Sequence, residues 1–397
     1  MSTIIVLGAG RVGVCTALAL AERGHEAVLI DRREPGNETS FGNAGVIQAE
    51  AVEPYAFPRD LPSLLRIALR RGNDVRYHFD ALPGQAIALW QYFRASRPDR
   101  HRVVASQYAR MIRRSTADHQ RLIIAAGADN LIRRDGFYQV FTDGSRFEAA
   151  AREATRLAET YGVGVETLGP EAMRRAEPAL RTGLSALRWT EPWTCNDPGG
   201  LVAAYAQLFS ARGGTVVTGD ASTLQANRAG WSVSTSAGMI SAEQVVVALG
   251  PWSPNLLGRF GYSFRMIYKR GYHRHYRNVS GLRITVHDAE AGMVIAPMKS
   301  GLRITTGAEL AVPDAPLTPR QLNCAVTRAG RLIELGAPVE ETPWMGRRPC
   351  MPGMLPFVGR LPKHQTLWGN FGHGHQGFTL GPTTGLMLAD QISEPLR

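Results

Sequence analysis

The chain opens on a contiguous apolar run and then changes period. Ile4, Ile5 and Val6 are β-branched and adjacent, as in a strand buried on both faces, and the run ends at Gly8. Beyond it Val14, Ala17, Leu18 and Ala21 recur at helical spacing until Gly24, and "AVLID" predicts a second strand ending at Asp31. The next stretch, "ETSFGNAGVIQ" (38–48), is too polar and too broken by glycine for a core strand and reads as a loop.

From 94 to 134 the apolar residues Tyr108, Met111, Ile112, Leu122 and Ile123 sit at helical spacing among arginines, which predicts amphipathic helices with an arginine-rich solvent face. "NDPGGLVAAYAQLFSARGG" predicts a helix capped by Asp197 and closed near Gly213. "WSVSTSAGMISAEQVVVALGPWS" predicts two alternating strands joined by a turn, then a third ending at Gly250. "TLWGNF" is a short strand, and "FTLGPTTGLMLADQI" a helix burying Leu386, Leu388, Ala389 and Ile392. The glycine-rich "NFGHGHQGFTLGP" (370–382) therefore joins a strand to a helix N-terminus.

Composition narrows the classes. A chain of 397 residues is long enough for two or three domains, and 44% hydrophobic with 20% charged residues is ordinary for a globular enzyme. The net charge of +11 rests on arginine, since only Lys269, Lys299 and Lys363 are lysines. No nucleic-acid recognition motif accompanies that charge, so no nucleic-acid partner is expected. Cys15, Cys195, Cys324 and Cys350 lie far apart, which gives no disulfide or zinc framework and fits a reducing compartment. No apolar stretch approaches the roughly 18 residues of a membrane span, so a cytoplasmic protein is expected, with peripheral contact at the inner face of a membrane left open.

The chemistry starts at the first turn. Gly8-x-Gly10-x-x-Gly13 lies between a strand and a helix, with Asp31 ending the next strand. Gly8 permits the tight turn, Gly10 lets main chain approach a pyrophosphate and Gly13 lets helix pack on strand. The helix start offers N–H groups to phosphate, and Asp31 can accept from a ribose diol. Arg32 and Arg33 would suit a 2′-phosphate, which Asp31 would repel.

With "ETSFGNAG", "VETLGPEAMRRAEPAL", "NDPGGL", "VVVALGPWS", "IAPMKSGLRITTGAEL" and "GRRPCMPGMLPFVG" in view, the sequence resembles the D-amino acid oxidase superfamily of flavoenzymes, and within it the FAD-dependent D-amino acid dehydrogenase branch. The resemblance implies an α/β fold: a discontinuous Rossmann-like FAD domain of the glutathione-reductase type (1–50, 197–258 and 340–397) and an α+β substrate domain built on an antiparallel sheet (51–196 and 259–339). It implies FAD contacts from Gly8, Gly10, Arg11, Val12, Gly13, Asp31 and Arg32, and from Thr39, Ser40, Asn43, Ala44 and Gly45 in the polar loop. Ala221 and Gly250 are expected beside the cofactor, and Gly374, Gly377, Phe378 and Thr379 at the flavin's pyrimidine edge.

The implied reaction is oxidation of an amine, with hydride leaving the substrate Cα and the imine then hydrolysing. The expected substrate is a D-amino acid or a cyclic imino acid such as a D-proline derivative, with electrons passing to a quinone or another acceptor. Alternatives are a glycine or sarcosine-type oxidase making peroxide, or an inactive or electron-transfer subunit of a flavoprotein complex. Arg348 matches the family's carboxylate-binding arginine, and its neighbour Arg347 is expected to face solvent. Tyr272 is expected either to hydrogen-bond the carboxylate or to pack in the substrate sheet, and His375 to contact substrate. The family's acid after the second proline is replaced by Gly353 and Met354. Cys350 is read either as a packed thiol or as a covalent flavin attachment point. The His373/His375 and His273/His275 pairs lack companion ligands at metal spacing, so no metal is expected.

Overall fold

The computed structural model describes residues 2–228, 230–312 and 315–394. Two sheets organise the chain. The first has six strands in the order Thr215–Thr218, Glu26–Asp31, Thr3–Leu7, Gln244–Val247, Leu367–Phe371 and Phe357–Arg360, all parallel except the last pair. Ile4, Ile5 and Val6 are fully buried, as a parallel strand covered on both faces requires. On one face the Arg11–Glu22, Pro198–Ala211 and Gly377–Ser393 helices share a core through Leu18, Leu201, Phe209 and Leu388. Asp197 caps its helix by accepting from Gly200 N–H at 2.8 Å.

The Pro98–Ala125 helix buries Tyr108, Met111, Ile112, Leu122 and Ile123, the apolar stripe expected between the arginines. It also carries His119 against the Gly377–Ser393 helix. Pro382 lies inside that helix and has no N–H to give the carbonyl of Phe378. The His119 Nε2 stands 3.1 Å from that oxygen and 3.0 Å from the carbonyl of Thr379, and supplies the missing donor.

The second sheet has ten strands and is mainly antiparallel. Its central Ile267–Tyr276 strand pairs with Gly301–Thr305 and then Ala308–Leu310 along one side and with Trp344–Cys350 along the other. The Trp344–Cys350 strand falls within the 340–397 segment expected in the first unit, yet it hydrogen-bonds into this sheet, with Lys269 opposite Arg348 and Gly271 opposite Gly346. Side chains alternate along Ile267–Tyr276. Arg270 and Tyr272 enter the core of the second unit, while Lys269 and Gly271 face the cleft between the sheets.

Candidate active site

A cleft of about 1140 Å³ runs from the carboxyl ends of the parallel strands to the Ile267–Tyr276 strand. That exceeds the ~300–1,000 Å³ usual for a small-ligand pocket, as a dinucleotide plus substrate would need. At one end lies the first turn. Gly8 has φ +108°, and a Cβ there would meet the Ala248 carbonyl oxygen at 2.5 Å, while a Cβ on Gly13 would collide with the Gly8 carbonyl. Gly10 is open, with Ser40 Oγ at 3.5 Å the nearest atom to its Cβ position. The N-cap Gly10 has no side chain to cap the Arg11–Glu22 helix; Ser40 Oγ accepts from the Arg11 N–H at 3.0 Å, and the rest of the first turn is left for an anion. Asp31 is held at its strand end by the Ala9 N–H, 2.6 Å from Oδ2.

Val12, Arg32, Thr39, Asn43, Ala44, Ala221, Gly250, Gly374, Gly377 and Phe378 also line the cleft. Four expected contacts are arranged differently. The Arg11 side chain turns inward over the rings of Phe378 (3.9 Å) and Tyr205 (5.0 Å), so the cleft receives only the rest of the residue. Gly13 supports the turn from behind. Gly45 gives its N–H to Asn43 Oδ1 (2.8 Å), and Thr379, buried behind the cleft lining, accepts at Oγ1 from the Gln48 N–H (3.1 Å).

The other end of the cleft is basic. Arg348 is fixed by donating to the carbonyls of Gly307 (2.6 Å) and Thr306 (3.0 Å). Burial lowers its pKa, and the groups that offset this are Cys350 and Tyr55 rather than a carboxylate. Lys269, also in the cleft, holds its ammonium 5.1 Å from the Tyr92 ring. The His375 ring lies 5.6 Å from that of Tyr55; burial and then the charges of Arg348 and Lys269 hold its pKa well below the ordinary value, so it stays neutral. Burial likewise pushes His373 down to about 3, and its Nε2 pairs with Thr384 Oγ1 at 3.0 Å. Arg347 is half-buried rather than solvent-exposed.

Tyr272 corrects the expectation of a carboxylate contact. Its hydroxyl donates to Glu309 (2.7 Å) and accepts from Arg270 (2.9 Å) and the Thr318 N–H (3.1 Å), all on the side of the strand away from the cleft. It is Gly271, two residues along from the Lys269 that pairs with Arg348, over which the guanidinium of the clamp lies. Sequence reasoning also missed Tyr55, Lys269, Gln48 and Glu50. Lys269, one of three lysines in an arginine-rich chain, was the only one with a visible signal.

Glu50 is buried, with Oε2 unpartnered and Oε1 accepting from Gln48 Nε2 (2.8 Å); Gln48 in turn accepts from Gln376 (2.7 Å). Burial pushes the Glu50 carboxyl up to about 7, against the pull of the Gln48 amide. Cys350 packs with Tyr92, Ile267 and Leu310, and burial raises its thiol pKa. His273 and His275 face each other at 5.1 Å, but His275 pairs with Glu340 and accepts from Arg303 (3.0 Å), which also donates to the Phe41 and Asn43 carbonyls. Among the described residues no group of three or more His, Cys, Asp and Glu side chains could hold a metal ion.

Comparison with known proteins decides the family. Residues 3–391 match the family model described as FAD dependent oxidoreductase. This chain belongs to that family. It is 30% identical over 409 residues to a D-amino acid dehydrogenase of Dechloromonas aromatica (strain RCB), covering 98% of this chain and 96% of that protein. It is 29% identical over 406 residues to a D-amino-acid oxidase of Bradyrhizobium diazoefficiens, covering 98% and 94%. Its fold matches a glycine oxidase from Bacillus cereus ATCC 14579 with TM-score 0.71 at 20% identity, across 100% of this chain and 96% of that one.

The cleft fits the FAD that the family uses. The open first turn beside Gly10 and the Asp31 carboxylate suit the diphosphate and ribose, while the uncapped start of the Gly377–Ser393 helix can stabilise negative charge without a charged side chain. The basic end lies at the other end of the same cleft from the first turn.

Proposed function

We propose that this flavoenzyme oxidises a D-amino acid or a cyclic imino acid, such as a D-proline derivative, at its Cα–N bond to give an imine. The observation that carries this reading is Arg348. Among the described residues it has no carboxylate partner, yet its guanidinium is anchored by two carbonyls and faces the cleft. A buried cation without its counter-ion is costly, and a substrate carboxylate removes that cost while gaining a planar, two-pronged contact.

FAD, when bound, supplies the acceptor for the hydride from Cα. The protein's part is to position the substrate and set its protonation. Arg348 and Lys269 together disfavour a protonated amine, so the substrate is held in the neutral form that can lose hydride. His375, kept neutral, adds no charge, and Tyr55 opposite it closes a wall of the pocket. Fixing the carboxylate at one point aligns Cα without engaging the side chain.

We further propose that electrons pass to a quinone or other acceptor, in keeping with the dehydrogenase relative, the oxidase relative being the alternative. An anaerobic screen of D- and N-alkyl amino acids, following loss of flavin absorbance, tests the reading. Bleaching by a D-amino or imino acid is expected, and purified FAD-bound protein that no amine bleaches would overturn it. Peroxide yield against dye reduction then separates oxidase from dehydrogenase.

A further inference from the structure

Two helices flank the mouth of the cleft and carry apolar side chains on the side where a water-soluble enzyme should be polar. Leu61–Ala68 contributes Leu64 and Ile67 to the cleft lining, and Ala81–Ala95 contributes Leu82 and Leu89. Away from the cleft, Leu61, Leu65 and Leu69 recur at helical spacing and are 67%, 51% and 57% exposed, while Ile87 and Trp90 are 52% and 59% exposed on the second helix. Phe79, in the connection between them, is 68% exposed.

The two helices run antiparallel along the mouth. Arg59, before the first, donates to the Phe93 carbonyl (2.7 Å) and stacks on its ring near the end of the second. Arg70, after the first, stacks on Tyr77 and Phe79 just before the second begins. Six large apolar side chains, each more than half exposed, thus fall within one thirty-residue segment. Single exposed apolar residues are unremarkable, but a concentration of them around a cavity mouth marks an interaction surface.

The surrounding charge selects the partner. Residues 59–97 contain seven arginines against three aspartates, with no lysine or glutamate. Two of the three acids are already engaged: Asp60 caps its helix and Asp74 pairs with Arg66. Beside Phe79 a recess of about 460 Å³ is lined by Arg70, Arg76 and Arg320 with His78, and its acids are Asp80 and Glu309. Glu309 is committed to Arg270, Tyr272 and His78. Leucines, an exposed tryptophan and a phenylalanine bordered by arginines are the make-up of a surface that lies in the headgroup layer of an anionic bilayer.

We propose that the Leu61–Ala68 and Ala81–Ala95 helices dock this protein on anionic phospholipid membranes, with the mouth of the cleft facing the bilayer. Leucines and Trp90 enter the headgroup boundary, the arginines meet lipid phosphates, and the Arg70–Arg76–Arg320 recess seats one headgroup. The inference holds whichever amine is oxidised.

Co-sedimentation of the FAD-bound full chain with vesicles tests it. With about 30% phosphatidylglycerol in phosphatidylcholine, binding about tenfold or more above that to pure phosphatidylcholine is expected, falling sharply as salt rises from about 0.1 M to 0.5 M. The Leu65→Glu/Trp90→Glu double variant should stay in the supernatant, and Val279→Glu, which changes an exposed valine elsewhere, should still bind. Flavin absorbance and melting temperature confirm that each variant is folded, so the result stands even if no amine proves to be a substrate. Wild-type protein that ignores vesicles, binds them regardless of anionic lipid, or is a dimer in light scattering that the double variant breaks would overturn the proposal.

Discussion

Arg348 fills the space that a side chain on Gly271 would need: a Cβ there would lie 2.6 Å from Nη2 and 2.7 Å from Cζ. The two residues sit on neighbouring antiparallel strands, and the absence of a side chain on one shapes the position of the other. The group that would have to yield is the far end of a flexible arginine rather than backbone.

Gly271→Ala should therefore displace the guanidinium while leaving the sheet intact. We expect kcat/KM to fall at least about tenfold, mostly through KM, with a melting temperature within about 3 °C of wild type. Steady-state kinetics beside a thermal scan check this. Wild-type kinetics would show that the clamp does not depend on that space.

Arg348→Ala should retain FAD and lose about two orders of magnitude or more in kcat/KM, the scale of a charged, two-pronged contact removed. Arg348→Lys restores the charge without the fork and should recover only part of the loss. An unchanged KM in the alanine variant would remove Arg348 from the site.

Glu50 makes stability depend on pH in a direction opposite to most carboxylates. Its folded pKa of about 7 lies above the ordinary glutamate value, so the native state binds the extra proton across that interval and stability falls as pH rises through it. Glu50→Gln should therefore add stability at pH 8, on the order of 3 kcal/mol, and almost none near pH 4.5. Urea midpoints of both proteins across this range measure the gap. A gap independent of pH would contradict the burial argument.

His119 and Pro382 should be energetically coupled through the Phe378 carbonyl. Burial holds the imidazole pKa down to about 3, so His119 is neutral; because carbonyls only accept, Nε2 carries the proton and Nδ1 accepts from Tyr205. His119→Ala should cost about 1–3 kcal/mol, and less when Pro382→Ala returns a backbone N–H to that carbonyl. A double-mutant cycle by denaturant unfolding measures the coupling, and strictly additive effects would sink it.

The parts of the fold legible in the sequence are those whose signal is local. The strand–turn–helix at Ile4–Ala21, the Asp197 cap and the final strand, turn and helix each announce themselves within about 20 residues by period and glycine. The basic end of the cleft does not. Alternation says that Gly271 and Tyr272 point opposite ways, but which of them faces the cleft depends on pairing with a strand more than 70 residues away. Lys269 is placed by the same pairing, and Tyr55 sits in a stretch with no periodicity at all. Arg348 was visible only through its motif, and its strand's membership of the second sheet was not.

One backbone contact has a further consequence. The Gly374 N–H donates to the Pro349 carbonyl at 2.8 Å, and Cys350 bridges to His373, so the residues flanking the arginine clamp are stitched to the glycine turn that opens the last helix. Those two points behave as the fixed jaws of a gauge: breathing of the sheets carries both together. For the substrate proposed above, that spacing would span the short run of atoms between a carboxylate and its α-nitrogen, and variation in substrate size would be absorbed at the helix-lined side.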